Sequence, residues 1–310
     1  MLEILETVLP VLVMLGLGMV CKKKGFLSRS CMDGMKFLVV KVMLPIAVFH
    51  GLATAEYGSY TVISVGIMFT VMALTFGLGF LLRPVIGKPY NKYLPFVVSV
   101  YEGGMIAYPL YTSLVGVENL SVIAMIDISG LLFCFGIFCN VLVQMEEQTK
   151  VSVRNVVVNA LKNPAFIATV LGVIVGLTGV VNRMLMSPVG PVYMNVKDML
   201  VAAMSPMILM VVGYDFELSK ELLKPCLKSI GLRAITQGVF AVAVIFLLHR
   251  IVGENTLLDV AIITYMSAPG SFSVQTFLKD ENAQKYIASC NSLYMIITIA
   301  VYTILAGILA

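Results

Sequence analysis

Apolar segments long enough to cross a lipid bilayer recur from one end of this 310-residue chain to the other. A membrane helix needs about 20 mostly apolar residues, and only short polar loops separate the apolar segments here. Hydrophobic residues make up 59% of the chain and charged residues 12%, which is too little charge to cover a soluble surface. We therefore predict an all-α, multi-pass protein of the cell membrane. Ten transmembrane helices are expected, at residues 4–21, 35–52, 60–82, 93–115, 119–143, 163–181, 195–214, 229–250, 257–278 and 285–309.

The basic residues predict how these helices are oriented. Loops rich in Lys and Arg stay on the cytoplasmic side of a membrane. All but three of the 21 Lys and Arg residues, namely Arg183, Lys197 and Arg250, fall in or beside the odd-numbered loops. We therefore expect both termini on the extracytoplasmic side. The first apolar segment lacks a basic start and a small-residue cleavage site, so we expect it to stay as a helix rather than be removed as a signal peptide.

The longest central polar stretch divides the apolar segments into five and five. We predict a first repeat at residues 1–143, a central cytoplasmic loop at 144–162 and a second repeat at 163–310. Because each half has an odd number of segments, the second half enters the membrane from the opposite side. The sequence therefore predicts two inverted five-helix repeats.

Matched irregularities support this repeat. The second segment of each half has a proline in its middle and a glycine near its end, which are Pro45 and Gly51 in one half and Pro206 and Gly213 in the other. The fourth segment of each half contains helix-weakening residues, at Glu102-Gly103-Gly104 and at Ala268-Pro269-Gly270-Ser271. We therefore predict that helices four and nine are broken.

Broken membrane helices indicate where a transport site lies. Their freed backbone groups need partners, which they find only inside protein or beside a wet cavity, and breaks in corresponding repeat positions point to a site near the midplane. Each new half-helix N-terminus also favours an anion. The predicted substrate-binding residues are Tyr101, Glu102, Gly103, Gly104, Met105, Pro269, Gly270, Ser271, Ser273 and Gln275. The alternative is that these small residues only allow helices to pack closely.

Two acidic residues deep in predicted spans are candidates for ion coupling, because a carboxylate inside a membrane is costly unless it is protonated or paired. Glu102 is expected to take up a proton, coordinate a cation or bind a cationic part of the substrate; alternatively, it reaches water at the bundle edge. Asp127 is a second proton or cation candidate, or has a structural role. Lys41, Arg233 and Gln237 lie near the predicted cytoplasmic ends of spans two and eight, where we expect their side chains to extend towards water.

Other classes of function find little support in the sequence. The six cysteines form no C-x-x-C pair with metal-ligand spacing, so we predict reduced thiols, no metal site and no cofactor. An enzyme is not expected, because the two histidines, His50 and His249, are far apart and neither belongs to an H-E-x-x-H motif. The net charge of +4 comes from loop residues rather than from a basic patch on a soluble module, so no nucleic-acid partner is expected.

Several stretches of the sequence are typical of one family. They are Leu44-Pro45-Ile46-Ala47-Val48-Phe49-His50-Gly51-Leu52, Gly104-Met105-Ile106-Ala107-Tyr108-Pro109-Leu110, residues 206–213, Pro269 and Ser289-Cys290-Asn291-Ser292-Leu293. With them the whole chain resembles the auxin efflux carrier family, relatives of the bile acid carriers, which includes plant auxin exporters and microbial carriers linked to malonate and malate. The resemblance implies ten spans in two inverted repeats, with helices four and nine crossing. Where that family often has Asn-Thr-Gly, this chain has Glu102-Gly103-Gly104, so a bound carboxylate would meet a like charge unless Glu102 is protonated.

These observations predict a secondary active transporter that moves a small organic solute, and an organic anion in particular, by alternating access. Coupling to a proton or cation gradient is expected, and the lipid bilayer is the surrounding partner. The alternative is a channel or membrane receptor without a transport cycle. The sequence leaves open the substrate, the direction of transport, the coupling ion and whether the chain forms a homodimer.

Overall fold

The computed structural model describes residues 2–55, 57–147, 158, 160–216, 219–272, 274, 278 and 280–310. In that part of the chain, seven helices are long and apolar enough to cross a membrane: Leu5–Lys24, Arg29–Thr54, Thr61–Val85, Val117–Glu146, Gly190–Asp215, Leu223–Val252 and Glu281–Leu309. Two shorter apolar helices cover Pro164–Thr178 and Thr256–Met266. The prediction of an all-α membrane protein is confirmed, but the predicted number of ten spans is not. Where the fourth, sixth and ninth spans were predicted, the described residues form broken or shorter helices.

In the first half, local sequence explains several helix ends. The Ser28 hydroxyl caps the second helix by accepting a hydrogen bond from the Cys31 amide at 3.3 Å. A π-helical turn, Val39–Met43, joins the two parts of the second span. The α-helices are α1 (Leu2–Lys24), α2 (Arg29–Leu38), α3 (Leu44–Thr54), α4 (Ser59–Leu82), α5 (Leu94–Ser99), α6 (Tyr108–Val115), α7 (Leu120–Phe133) and α8 (Cys139–Glu147).

In the second half, the first helix has a well-defined start and stop. The Asn163 side chain accepts hydrogen bonds from the amides of Ala165 and Phe166, and Pro164 occupies the first helical turn. Gly179 ends that helix with a φ of 64°, a conformation that favours glycine. The helices are α9 (Pro164–Thr178), α10 (Val180–Leu185), α11 (Gly190–Val201), α12 (Met204–Asp215), α13 (Leu223–Val252), α14 (Thr256–Met266) and α15 (Glu281–Leu309).

Glycines bring two pairs of helices into close backbone contact. Helix α1 packs against α12, where a Cβ atom on Gly18 would collide with the Met210 carbonyl and a Cβ atom on Gly213 with the Leu15 carbonyl. Helix α9 packs against α3, where a Cβ atom on Gly172 would lie 2.9 Å from Leu52 Cβ. Small residues at membrane-helix interfaces allow such approaches, which increase van der Waals contact where lipid offers no hydrophobic driving force.

Aromatic side chains fill the contact between α4, α5 and the end of α7. The Phe76 and Phe96 rings lie 5.4 Å apart, Phe76 and Phe133 lie 5.7 Å apart, and Phe96 lies 5.1 Å from Phe138, all in edge-to-face arrangements. Such pairs contribute roughly 0.5 to 1.5 kcal/mol each beyond their buried area. This cluster holds α5, which leads into the first helix break.

The outer surface of the bundle is apolar. Helix α13 exposes a stripe of apolar side chains: Ile235, Val239, Val242 and Phe246. Such a stripe of exposed apolar side chains is suited to contact lipid.

Two further predictions concern the central loop and the cysteines. Helix α8 continues to Glu147, into the predicted loop at 144–162, and most of that loop lies outside the described residues. All six cysteines are described, and each is a free thiol.

Candidate functional site

The fourth predicted span is broken as expected. Helix α5 ends at Ser99, and Val100 adopts an extended conformation with φ −107° and ψ 153°. Regular structure resumes at Gly103 in a π-helical turn, Gly103–Ala107, which leads into α6. The break therefore covers residues 100–102, which precede the two glycines.

The ninth predicted span is broken after α14. That helix ends at Met266, and Pro269, Gly270 and Ser271 have no regular secondary structure. The predicted site residues Ser273 and Gln275 lie outside the described residues.

The two breaks lie against each other, in a contact that we call the crossing, and Glu102 joins them. Its backbone amide donates a hydrogen bond to the Pro269 carbonyl at 2.9 Å. Its side-chain Oε2 accepts a hydrogen bond from the Phe272 amide at 2.8 Å. The Glu102 side chain is half-buried. It is bonded to the opposite broken helix and does not lie at the edge of the bundle. Its carboxylate also lies at the N-terminal end of the π-helical turn, where the backbone favours a negative charge.

Asp127, the second acidic candidate, contacts both broken helices. Its Oδ2 accepts a hydrogen bond from the Tyr108 hydroxyl at 2.8 Å, and its Oδ1 accepts one from the Tyr265 hydroxyl at 2.5 Å. Gly103 packs against the same carboxylate, since a Cβ atom there would lie 2.7 Å from Oδ2. Asp127 thus links α6 to α14.

The expectation that Arg233 and Gln237 extend towards water is wrong. Arg233 is 1% exposed and Gln237 2% exposed, and both point into the crossing. Arg233 Nη1 donates to the Val97 carbonyl at 2.5 Å, and Nη2 donates to the Ala268 carbonyl at 2.7 Å. Gln237 Nε2 donates to the Val98 carbonyl, and Gln237 Oε1 accepts from the Tyr101 hydroxyl.

These two side chains bond the carbonyl groups that the helix breaks leave free. The prediction failed because span eight was expected to begin at residue 229, which would leave Arg233 one turn from its end. The helix begins at Leu223, so Arg233 lies about 15 Å inside it. The Lys41 side chain is exposed on the surface of the bundle.

A polar cavity of about 110 Å³ lies between the crossing and the predicted cytoplasmic side. Its charged lining residues are Arg29, Lys36 and Asp215, with Arg29 Nη1 and Lys36 Nζ lying 2.6 and 3.3 Å from the Asp215 carboxylate. Phe272 and Asn291 also line it, so the cavity reaches the break of span nine. The lining of the cavity therefore carries two cations and one carboxylate, and Arg29 also pairs with Asp33, which does not line the cavity, at 3.2 Å.

Asn291 lines this cavity with a side-chain amide group that lacks a hydrogen-bond acceptor among the described residues. The residue is 4% exposed, and its Nδ2 atom has no hydrogen-bond partner in the described part of the chain. Its Oδ1 faces Gly270, where an added Cβ atom would lie 3.1 Å away. A buried unpaired donor beside a cavity can bind an acceptor group of a ligand.

A second, larger cavity of about 380 Å³ lies towards the opposite end of α3. His50, Glu118, Lys197 and Asp198 supply its charged and titratable lining groups. Lys197 is 8% exposed and pairs with the neighbouring Asp198. His50 Nδ1 lies 3.1 Å from the Tyr193 hydroxyl.

The predicted binding residues are largely brought together. Tyr101, Glu102, Gly103, Gly104 and Met105 lie at or directly after the first break, opposite Pro269, Gly270 and Ser271.

Sequence reasoning missed Arg29, Lys36, Asn291 and Arg233. For Lys36 the available signal was an N-cap serine, Ser28, which would have moved the start of span two from residue 35 to residue 29 and placed Lys36 about two turns inside the helix rather than at its edge.

The fold and site define a class: an all-helical membrane protein whose polar groups converge on two broken helices. Over residues 3–306 the chain matches the family model described as membrane transport protein. The chain therefore belongs to this family, and the resemblance to the auxin efflux carriers is confirmed. A search of curated proteins gives no match to the chain.

Proposed function

We propose that this membrane transport protein is a secondary active transporter for a small organic anion, working by alternating access and coupled to a proton or cation gradient. The observation that carries this proposal is the contact between the two helix breaks, where Glu102 bonds to Pro269 and Phe272. Broken helices that meet inside a bundle form the substrate and ion sites of many secondary transporters.

An architecture of ten spans in two inverted repeats is part of the proposal. The breaks fall in the fourth predicted span of each half, at residues 100–102 and after Met266. The packing is also reciprocal: α1, the first helix of one half, packs on α12 in the second span of the other. In the same way α9 packs on α3. Two halves related by an inverted pseudo-two-fold axis would show this pattern, in which the first helix of each half packs on the second span of the other.

Alternating access is supported by the positions of the two cavities along the second span. Lys36 lines one cavity and His50 the other, and Leu44 between them packs against Gly104 at the crossing. At 1.5 Å per helical residue, Lys36 lies about 12 Å to one side of Leu44 and His50 about 9 Å to the other. A rocking motion about this level would open one cavity while it closes the other.

An anionic substrate is favoured by the charges of the smaller cavity. Arg29 and Lys36 outnumber Asp215 there, and the unpaired Asn291 amide adds a neutral donor. We propose that a substrate carboxylate binds Lys36 and Asn291, beside the predicted substrate-binding residues at the two breaks.

Glu102 and Asp127 are proposed to exchange the coupling proton or cation. We further propose that the membrane is the cell membrane and that both termini are extracytoplasmic.

Counterflow in proteoliposomes tests this function. Vesicles holding the purified protein are loaded with unlabelled malate, malonate or indole-3-acetate, and entry of the labelled compound is followed. A carrier exchanges labelled for unlabelled anion and saturates, so we expect transient accumulation with at least one of these acids and none with lysine. Flux that passes without exchange would indicate a channel. Binding that raises the melting temperature, but without flux, would indicate a receptor.

A further inference from the structure

Arg233 places a fixed positive charge between the ends of two half-helices. Its guanidinium group bonds the Val97 carbonyl, near the end of α5, and the Ala268 carbonyl, just after the end of α14. Both are C-terminal ends, where unpaired carbonyl groups carry a partial negative charge. Because the C-terminal ends of α5 and α14 lie on either side of the Arg233 guanidinium group, their partial negative charges together favour a cation between them.

The remaining contacts of this guanidinium group are aromatic and neutral. Its central carbon lies 5.3 Å from the centre of the Tyr101 ring and 4.9 Å from that of the Tyr294 ring. Ring faces attract a cation, and more strongly where water is excluded. Within the described residues, no carboxylate lies within ion-pair distance of Arg233. Backbone carbonyls and ring faces therefore stabilise the charge.

Carbonyl groups freed by broken helices have a recurrent use in secondary transporters, because they coordinate the coupling metal cation. In this chain two of those carbonyls are occupied by Arg233, and a third, on Val98, is occupied by Gln237 one turn further along α13. A guanidinium group is always charged and its planar fork holds two acceptors at once. It can therefore join two backbone segments as a bound metal ion would.

We propose that Arg233 is a built-in cation that takes the place of a metal ion at the crossing, joining the two broken helices so that they move together without sodium. This inference deepens the proposed function by restricting its coupling ion. Arg233 acts here as a positioning residue: it holds the backbone around Glu102 and does not itself touch the substrate.

Chemical rescue tests this proposal: the Arg233 side chain is removed, and guanidinium ions are supplied in solution to take its place. In Arg233→Ala we expect a lower melting temperature in detergent and a loss of uptake. Millimolar guanidinium chloride should raise the variant's melting temperature more than N-methylglucamine chloride at the same ionic strength. Arg250→Ala, which changes an exposed arginine on the same helix, should show neither the loss nor the rescue. Absence of rescue in a folded Arg233→Ala protein would overturn the proposal.

Wild-type protein supplies an independent measurement if Arg233→Ala does not fold. Its melting temperature and its uptake should be the same in sodium chloride as in choline chloride, whereas a specific requirement for sodium in either would overturn the inference. The melting experiments need no substrate. If no organic anion is transported, the proposed function fails while the guanidinium rescue still decides the role of Arg233.

Discussion

The amide nitrogen of Glu102 lies 2.9 Å from the carbonyl oxygen of Pro269, which joins the break in one membrane helix directly to the break in another. The Glu102 carboxylate adds a second bond across the same contact, to the Phe272 amide. A change in the charge of Glu102 would therefore alter the link between the two broken helices. This connection makes the residue suited to couple an ion to a conformational change.

The close contact of α1 with α12 predicts different effects for two neighbouring glycines. Gly18→Ala should lower the melting temperature, because its Cβ atom would collide with the Met210 carbonyl, and overpacking of this kind costs roughly 1 to 3 kcal/mol. Gly16 faces open space, so Gly16→Ala should be neutral or stabilising. Thermal unfolding in detergent compares the two, and equal melting temperatures would contradict the packing.

The charges of the smaller cavity predict opposite effects of two substitutions on anion affinity. Lys36→Gln should raise the Kd for a transported acid by about ten- to a hundredfold, because one charge-assisted hydrogen bond contributes roughly 1.5 to 3 kcal/mol. Asp215→Asn should lower the Kd, since Lys36 would lose its carboxylate partner and Arg29 would keep only Asp33. Titration calorimetry with malate or malonate measures both.

Lys41 provides the matched control for this pair. It lies in the same span as Lys36, but its side chain is exposed and does not line the cavity. Lys41→Gln should leave the Kd unchanged. If Lys41→Gln weakened binding as much as Lys36→Gln, the loss of affinity would reflect the lower net charge of the protein and would contradict a direct contact between Lys36 and the anion.

Two buried tyrosines, of which only Tyr265 bonds Asp127, should lose different amounts of stability when their hydroxyl groups are removed. Tyr265→Phe removes a hydrogen bond to a carboxylate and should destabilise the fold by roughly 1.5 to 3 kcal/mol. Tyr111→Phe removes a bond to the neutral Leu257 carbonyl and should cost only about 1 kcal/mol. Melting temperatures in detergent should follow that order, and the reverse order would argue against a charged Asp127.

The orientation of the chain can be tested with a natural label. Cys31 is exposed, whereas the other five cysteines are buried, so an impermeant maleimide should react mainly at Cys31. We expect no labelling in intact cells and labelling in inside-out vesicles, because Cys31 lies in the first predicted cytoplasmic loop. Glu254→Cys should give the opposite pattern. Labelling of Cys31 from outside would reverse the orientation.

The sequence predicts the helices and their breaks because both depend on local residue types. Long apolar runs need no knowledge of their neighbours, and Gly103-Gly104 or Pro269-Gly270 weaken a helix wherever they occur. Helix ends are less well predicted, and an error of six residues at the start of α13 was enough to misassign Arg233.

The partners of the site residues could not be predicted, because they are distant in sequence. Arg233 and Val97 are 136 residues apart, and so is the pair of Tyr101 and Gln237. Only the three-dimensional packing of the two halves brings them together. The unpaired Asn291 amide likewise becomes apparent only when its surroundings are seen.

Uptake driven by an imposed pH gradient in proteoliposomes tests the central claim, that coupling depends on Glu102 at the crossing. The Glu102→Gln variant should remain folded, with a melting temperature close to that of the wild type, and should lose gradient-driven accumulation of the transported acid. Glu221→Gln, an exposed glutamate in a predicted cytoplasmic loop, should accumulate the acid normally. Wild-type accumulation by Glu102→Gln would contradict the role assigned to Glu102.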